Sequence, residues 1–286
     1  MICPKHLRLL LPAFLLTFAA CSGDSSSSSP DGASAPQTSD AVPTEDLGAT
    51  KIDINAVRDT ARMAMFVPAP SEFQAALKAT GFTIDLKAGV VDGPRDLAGK
   101  NKAIVALETG VRLANVLLTA DSAEKSVLLE RMQSARAGLA ALKASSEVLA
   151  ETDKLIADVT AGTISGAEAT PALDVLAGRI QDQLSGSADK TTATLVQAGG
   201  WVQGAYLLST ALAQAKQAGD AAALLHQPTV VAHFSAFLRQ AGEGDAAVQS
   251  VLAPMDDLGE LAGKAELTVQ DMTRASELTS AILKAF

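Results

Sequence analysis

From Asp96 to the C-terminus, apolar side chains recur every three or four positions, the spacing of one face of an α-helix. Ile104, Leu107, Val111, Ala114, Leu117 and Leu118 predict a helix over Asp96–Ala120. Val127, Leu128, Met132, Ala135, Leu139 and Leu142 predict a second, opened by a capping box at Asp121-Ser122-Ala123-Glu124. A third starts near Ser146, carries Val148, Leu149, Leu155, Ile156 and Val159, and stops at Gly162. A second capping box, Ser165-Gly166-Ala167-Glu168, precedes Leu173, Leu176, Ile180 and Leu184, and Gly186 closes that helix. The longest helix is predicted over Asp189–Ala218, followed by three shorter ones over Pro228–Ala241, Asp245–Leu258 and Val269–Phe286. Pro254 is expected to kink or end its helix, and Thr268 with Asp271 caps the last.

Upstream, Phe73, Ala76, Leu77 and Thr80 follow helical spacing, with Ser71 as N-cap and Gly81 as terminator. Phe82–Pro94 reads as an irregular crossover. Short loops make most neighbours antiparallel, so the pattern predicts an all-α domain of about eight helices. It is an antiparallel helical bundle or an irregular stack of helical hairpins. No signature recurs at the period of a tetratricopeptide array, which leaves a degenerate solenoid of helical pairs as the alternative.

Composition sharpens this picture. Hydrophobic residues make up 48% of the 286 but aromatics only 3%, so the core is built mainly from Ala, Leu and Val rather than the aromatic stock of a sandwich or barrel. The formal net charge is −9. Without the first twenty residues, which hold Lys5 and Arg8, 21 basic residues face 32 acidic ones, a net −11. Such a surface repels phosphate backbones, and nucleic acid is not expected as a partner. Both cysteines, Cys3 and Cys21, precede the helical region, so that region has neither disulfide nor thiolate metal ligand.

The N-terminus has an address pattern. Lys5 and Arg8 form a positive stretch, Leu9–Phe18 is apolar but shorter than the roughly 20 residues a spanning helix needs, and Ala19 and Ala20 precede Cys21. Phe18-Ala19-Ala20-Cys21 resembles the lipobox of bacterial lipoproteins, with Phe at a position that prefers Leu. The resemblance implies a diacylglycerol on the Cys21 thiol, cleavage just before it and an acylated new N-terminus. Each buried CH₂ contributes ~0.8 kcal/mol, so several acyl chains anchor firmly. Ser22 after the cysteine, where Asp would favour retention in the inner membrane, implies export to the outer membrane, facing the periplasm. Residues 22–50 are rich in Ser, Asp, Pro, Gly and Ala, including five consecutive serines from Ser25 to Ser29, and read as a tether spanning roughly 30 Å. The expected organisation is a signal peptide over 1–20, a lipidated cysteine and tether over 21–50, and one helical domain over 51–286.

Within that domain Ala198-Gly199-Gly200-Trp201-Val202-Gln203-Gly204-Ala205-Tyr206 holds the sole Trp and sole Tyr. Gly200 and Gly204 share a helix face, where another helix or a ligand can approach closely. Gly199, Gly200, Trp201, Gly204 and Tyr206 therefore define either a pocket over a glycine floor or a tight packing seam with Trp201 as a core plug. His226 and His233 are seven apart without the third and fourth ligands of a metal site, so no metal is expected. Ser122-Ala-Glu-Lys125 and Ser187-Ala-Asp-Lys190 match the S-x-x-K spacing of penicillin-recognising enzymes without its companion motifs. The Glu and Asp pairs along the helices read as solvated faces. Neither a catalytic constellation nor a cofactor is expected. Phe66-Val67-Pro68-Ala69-Pro70-Ser71-Glu72 and Ala198-Gly199-Gly200-Trp201 resemble two landmarks of an uncharacterised family of secreted helical proteins, and the resemblance implies a helical fold alone. The expected function is a non-enzymatic envelope lipoprotein that binds another envelope protein as scaffold or complex subunit. The alternative is a periplasmic carrier for a small apolar ligand.

Overall fold

The computed structural model describes residues 70–79, 96–186 and 190–285. The leader, Cys21, the tether, Gly81 and the Phe82–Pro94 crossover lie outside the described residues. The described residues contain nine α-helices, one 3₁₀ turn and no strand, so the all-α expectation holds. The helices are α1 Pro70–Ala79, α2 Lys102–Thr119, α3 Lys125–Ala141, α4 Ser146–Ala161, α5 Gly166–Gly186, α6 Lys190–Ala215, α7 Pro228–Ala241, α8 Ala246–Ala262 and α9 Val269–Lys284. The 3₁₀ turn, Asp220–Leu224, sits between α6 and α7.

Several boundaries follow the local chemistry. Ser165 and Glu168 form a reciprocal capping box, with the Glu168 N–H donating to Ser165 Oγ at 3.3 Å and the Ser165 N–H to Glu168 Oε2 at 2.8 Å. Thr268 and Asp271 do the same for α9. Gly162 closes α4 in the left-handed region at φ 73°.

Five expectations need correction. α1 takes Ser71 inside the helix rather than as its cap. α2 starts at Lys102, not Asp96. The Asp96 carboxylate instead accepts the Ala98 N–H in a turn, Gly99 is left-handed, and Asn101 Oδ1 caps the helix through the Ala103 N–H at 2.8 Å. The box predicted at Asp121 is absent. Asp121 is drawn to α1 by Lys78 at 2.6 Å and Gln74 at 3.1 Å, while the Ser122 N–H folds back on the Thr119 carbonyl. α6 stops at Ala215 because Lys216 turns left-handed (φ 55°), with Lys216 N–H on Ala213 O and Gln217 N–H on Leu212 O. α8 runs on to Ala262 rather than stopping at Leu258, so Pro254 lies inside the helix and does not end it. Val251, Leu252, Met255, Leu258 and Leu261 are buried along the helix on both sides of Pro254, and that burial outweighs one missing hydrogen bond.

Two helices form the centre. α2 and α6 are buried on nearly every side, and α6 packs along α2, α9 and α1. α3 covers α2, α4 lies on α3 and α5 on α4, while α8 joins α7 to α9. Neighbours in sequence run antiparallel. With three helices between them, α2 and α6 therefore run parallel, with Gly110 beside Val196 and Ala114 beside Gly200.

Several spacings in the second half echo the first, although the packing differs: α6 has α9 as its main partner among α7–α9, whereas α2 has α3 among α3–α5. Arg136 on α3 pairs with Asp153 on α4, and Arg239 on α7 with Asp256 on α8, each a constant 103 positions on (239 less 136, 256 less 153). The same interval separates the two capping boxes, the starts of α3 and α7, and the starts of α5 and α9. Val148-Leu149-Ala150 with Asp153 and Leu155 recurs as Val251-Leu252-Ala253 with Asp256 and Leu258. α2 matches α6 at an interval of 89 (199 less 110), the difference being absorbed by the longer α6 and the 3₁₀ turn. At the α2–α6 crossing a Cβ on Gly110 would lie 1.9 Å from the Val196 carbonyl oxygen, and one on Gly199 would lie 1.9 Å from that of Leu107. The contact is reciprocal: each glycine sits on the carbonyl three residues before the other.

Candidate functional site

The segment singled out in the sequence lies at this centre. Gly199 meets the α2 backbone at Leu107. Gly200 has ordinary contact distance, 3.6 Å to Gly110 O and 4.0 Å to Ala114 Cβ from a built Cβ. Gly204 receives the Phe73 ring of α1, where a Cβ would come within 2.6 Å. Trp201 is 1% exposed and lies against Phe234 of α7, ring centroids 6.1 Å apart and tilted by 59°. Its Nε1–H is buried with no hydrogen-bond partner among the described residues, which costs about 1–3 kcal/mol. Tyr206 is partly buried at the edge of the same core. The glycine face is therefore occupied by α1 and α2, with Trp201 plugging the space toward α7.

The remaining sequence candidates do not converge. His233 packs against Phe237, ring centroids 4.8 Å apart, and burial holds its imidazole below the ordinary pKa. No group of three or more His, Cys, Asp and Glu with metal-site geometry occurs among the described residues. Ser122 donates its hydroxyl to Thr119 O, and Lys125 Nζ reaches Thr160 O at 2.8 Å on α4, so the S-x-x-K pair does not act together. Ser187 lies outside the described residues.

One polar cluster escaped the sequence reading, which took paired charges as solvated. Glu108 on α2 is 2% exposed, with Oε1 accepting from Arg112 Nη2 at 2.6 Å and Oε2 from Lys100 Nζ at 2.9 Å. Arg112 Nη1 donates to Ser134 O of α3 at 3.1 Å. Arg131 Nη1 of α3 donates to Thr119 Oγ1 at 2.8 Å, and that hydroxyl donates to Asn115 O. Asn115 Oδ1 is buried with no partner among the described residues. The i,i+4 spacing of Glu108 and Arg112 was visible in the sequence. Their burial was not, because it depends on α3 lying over them.

Two spaces accompany these seams. An apolar void of about 20 Å³ lies between α2, α3, α4 and α5, against Leu117, Met132, Ala135, Thr152 and Leu173, with room for about one water. A cleft of about 300 Å³ opens at the N-terminal ends of α2 and α6, lined by Lys102, Thr191, Thr192 and Gln240.

No family model, no curated protein and no solved structure matches the chain. No described helix is long and apolar enough to cross a membrane.

Proposed function

We propose that the protein is a lipid-anchored envelope protein whose helical domain works as a non-enzymatic scaffold or complex subunit. One observation carries this reading: Phe18-Ala19-Ala20-Cys21 follows a short positive and apolar leader and precedes a Ser-rich stretch. The thiol at that place is the atom a thioether-linked lipid requires, and several acyl chains give an anchor that a single chain does not. On this reading the outer membrane, facing the periplasm, is the address, and Ser22 supports it. The domain contributes a rigid body on a spacer, and its partner is another envelope protein rather than nucleic acid, in keeping with the net charge of −9.

Scaffold is preferred to carrier because the glycine face that would have held an apolar ligand is filled by Leu107 and Phe73. Recognition on this reading uses the outer surface.

The test is metabolic labelling with a palmitate analogue and membrane fractionation of the full precursor. Wild type is expected to label and to sediment with membranes, and Cys21→Ser to lose both. Equal sedimentation of the variant would remove the anchor from the proposal. Crosslinking in the native envelope, followed by mass spectrometry, then tests the partner. Products confined to uncrosslinked monomer would count against the scaffold role.

A further inference from the structure

Asp121 has two competing uses. In the fold, Oδ2 accepts from Lys78 Nζ at 2.6 Å and Oδ1 from Gln74 Nε2 at 3.1 Å, so α1 engages both carboxylate oxygens. In the sequence, the same residue opens Asp121-Ser122-Ala123-Glu124, whose spacing suits a capping box that starts α3 one turn earlier. The box needs the Asp121 carboxylate on the Glu124 N–H, with Glu124 inside the helix. Here Glu124 is extended, at φ −60° and ψ 146°, and α3 begins at Lys125 without a side-chain cap. Asn101, Ser145, Ser165, Asp245 and Thr268 do cap α2, α4, α5, α8 and α9 through their side chains. α3 has thus given up its cap to α1.

α1 has only 10 residues, fewer than the roughly 12–15 at which an isolated helix becomes even marginal in water, so its helical state depends on its seat. Two neighbouring rows hold it, each pair four positions apart. Phe73 and Leu77 are buried, with the Phe73 ring over Gly204. Gln74 and Lys78 form the latch on Asp121, and the Lys78 side chain is 64% exposed. An ion pair that exposed contributes about as little as a single N-cap, so latch and cap are closely matched. Burial of Phe73 and Leu77 tips Asp121 toward α1. The α2–α6 crossing is made without α1, through Gly110 and Gly199.

We infer that α1 is a releasable strap and that Asp121 couples it to α3, latching α1 when it is seated and capping a longer α3 when it is released. The seated form is the ground state. Release uncovers the face of α6 at Gly204, and the new cap favours that open form. Unseating α1 and lengthening α3 are therefore linked, each promoting the other.

The test is NMR on the full chain, reading amide exchange in α1, α2 and α6 and the backbone carbon shifts of Ser122, Ala123 and Glu124. Phe73→Ala leaves Gln74, Lys78 and Asp121 intact. It is expected to speed exchange in α1 several-fold, to move the three shifts toward helical values and to leave α2 and α6 protected. Adding Asp121→Ala is expected to abolish the helical shifts while α1 stays unprotected. Lys78→Ala with Gln74→Ala is expected to produce the same helical shifts by freeing Asp121 directly. Release of α1 with Glu124 still extended overturns the coupling. So does loss of protection through α2 and α6 in Phe73→Ala, which would make α1 a founding part of the core. Unmoved shifts in Lys78→Ala with Gln74→Ala overturn it whatever Phe73→Ala does to folding.

Discussion

Gly199 and Gly200 are adjacent in sequence, yet the structure gives them opposite tolerances. A methyl on Gly199 has no room beside Leu107 O, and the obstacle is backbone that cannot rotate away. Gly199→Ala is expected to cost about 3 kcal/mol in chemical denaturation. Gly200→Ala, at ordinary contact distance, is expected to be neutral or to gain up to ~1 kcal/mol from helix propensity. Equal costs at the two positions would mean that the crossing is seated elsewhere. Asp271 offers a second residue-level test. Lys264, then the Thr268 N–H and hydroxyl, hold its carboxyl down to a pKa of about 2. A depressed folded-state value stabilises the fold above the ordinary carboxylate range, near 4, and that contribution fades as pH falls toward about 2. Asp271→Asn is therefore expected to lower the melting temperature at pH 6 and to match wild type near pH 2. A constant gap across that range would argue that the carboxylate contributes through shape rather than charge.

Helix ends carry the next set of expectations. Lys143 closes α3 at φ 58° in a left-handed turn, with its N–H on Ala140 O and the Ala144 N–H on Leu139 O. A side chain there opposes the backbone, so Lys143→Gly is expected to stabilise by about 1 kcal/mol in the same denaturation assay. No gain would show that the lysine side chain compensates for the strain. Most elements were legible in the sequence because their apolar stripes and caps are local: Ser165 with Glu168, Gly162, and Pro228 at the start of α7 can each be read within four residues. The misplaced ends had a distant cause or an unmarked turn. Asp121 is drawn away by Lys78, more than forty positions earlier, and Lys216 turns left-handed without the glycine that usually announces it. The site was half legible. Glycine spacing indicated close approach, but only the fold decides that α1 and α2 fill that face, or that Glu108 lies under α3.

At the scale of the whole domain, the reciprocal seating of Gly110 and Gly199 joins α2 to α6, and the described helices are expected to unfold as one cooperative body. Hydrogen exchange on the full chain carrying Gly199→Ala is expected to show lost protection in α2–α5 as well as in α6–α9. Loss confined to α6–α9 would mean that the first half stands alone. The spacings shared by the two halves escaped the sequence because they lie 103 positions apart, far beyond any local pattern. The same seating also bears on the order in which the chain is made. α2 leaves the ribosome well before α6, which begins about two thirds of the way along the sequence. Throughout that interval the face of α2 around Gly110 is without the partner it has in the fold.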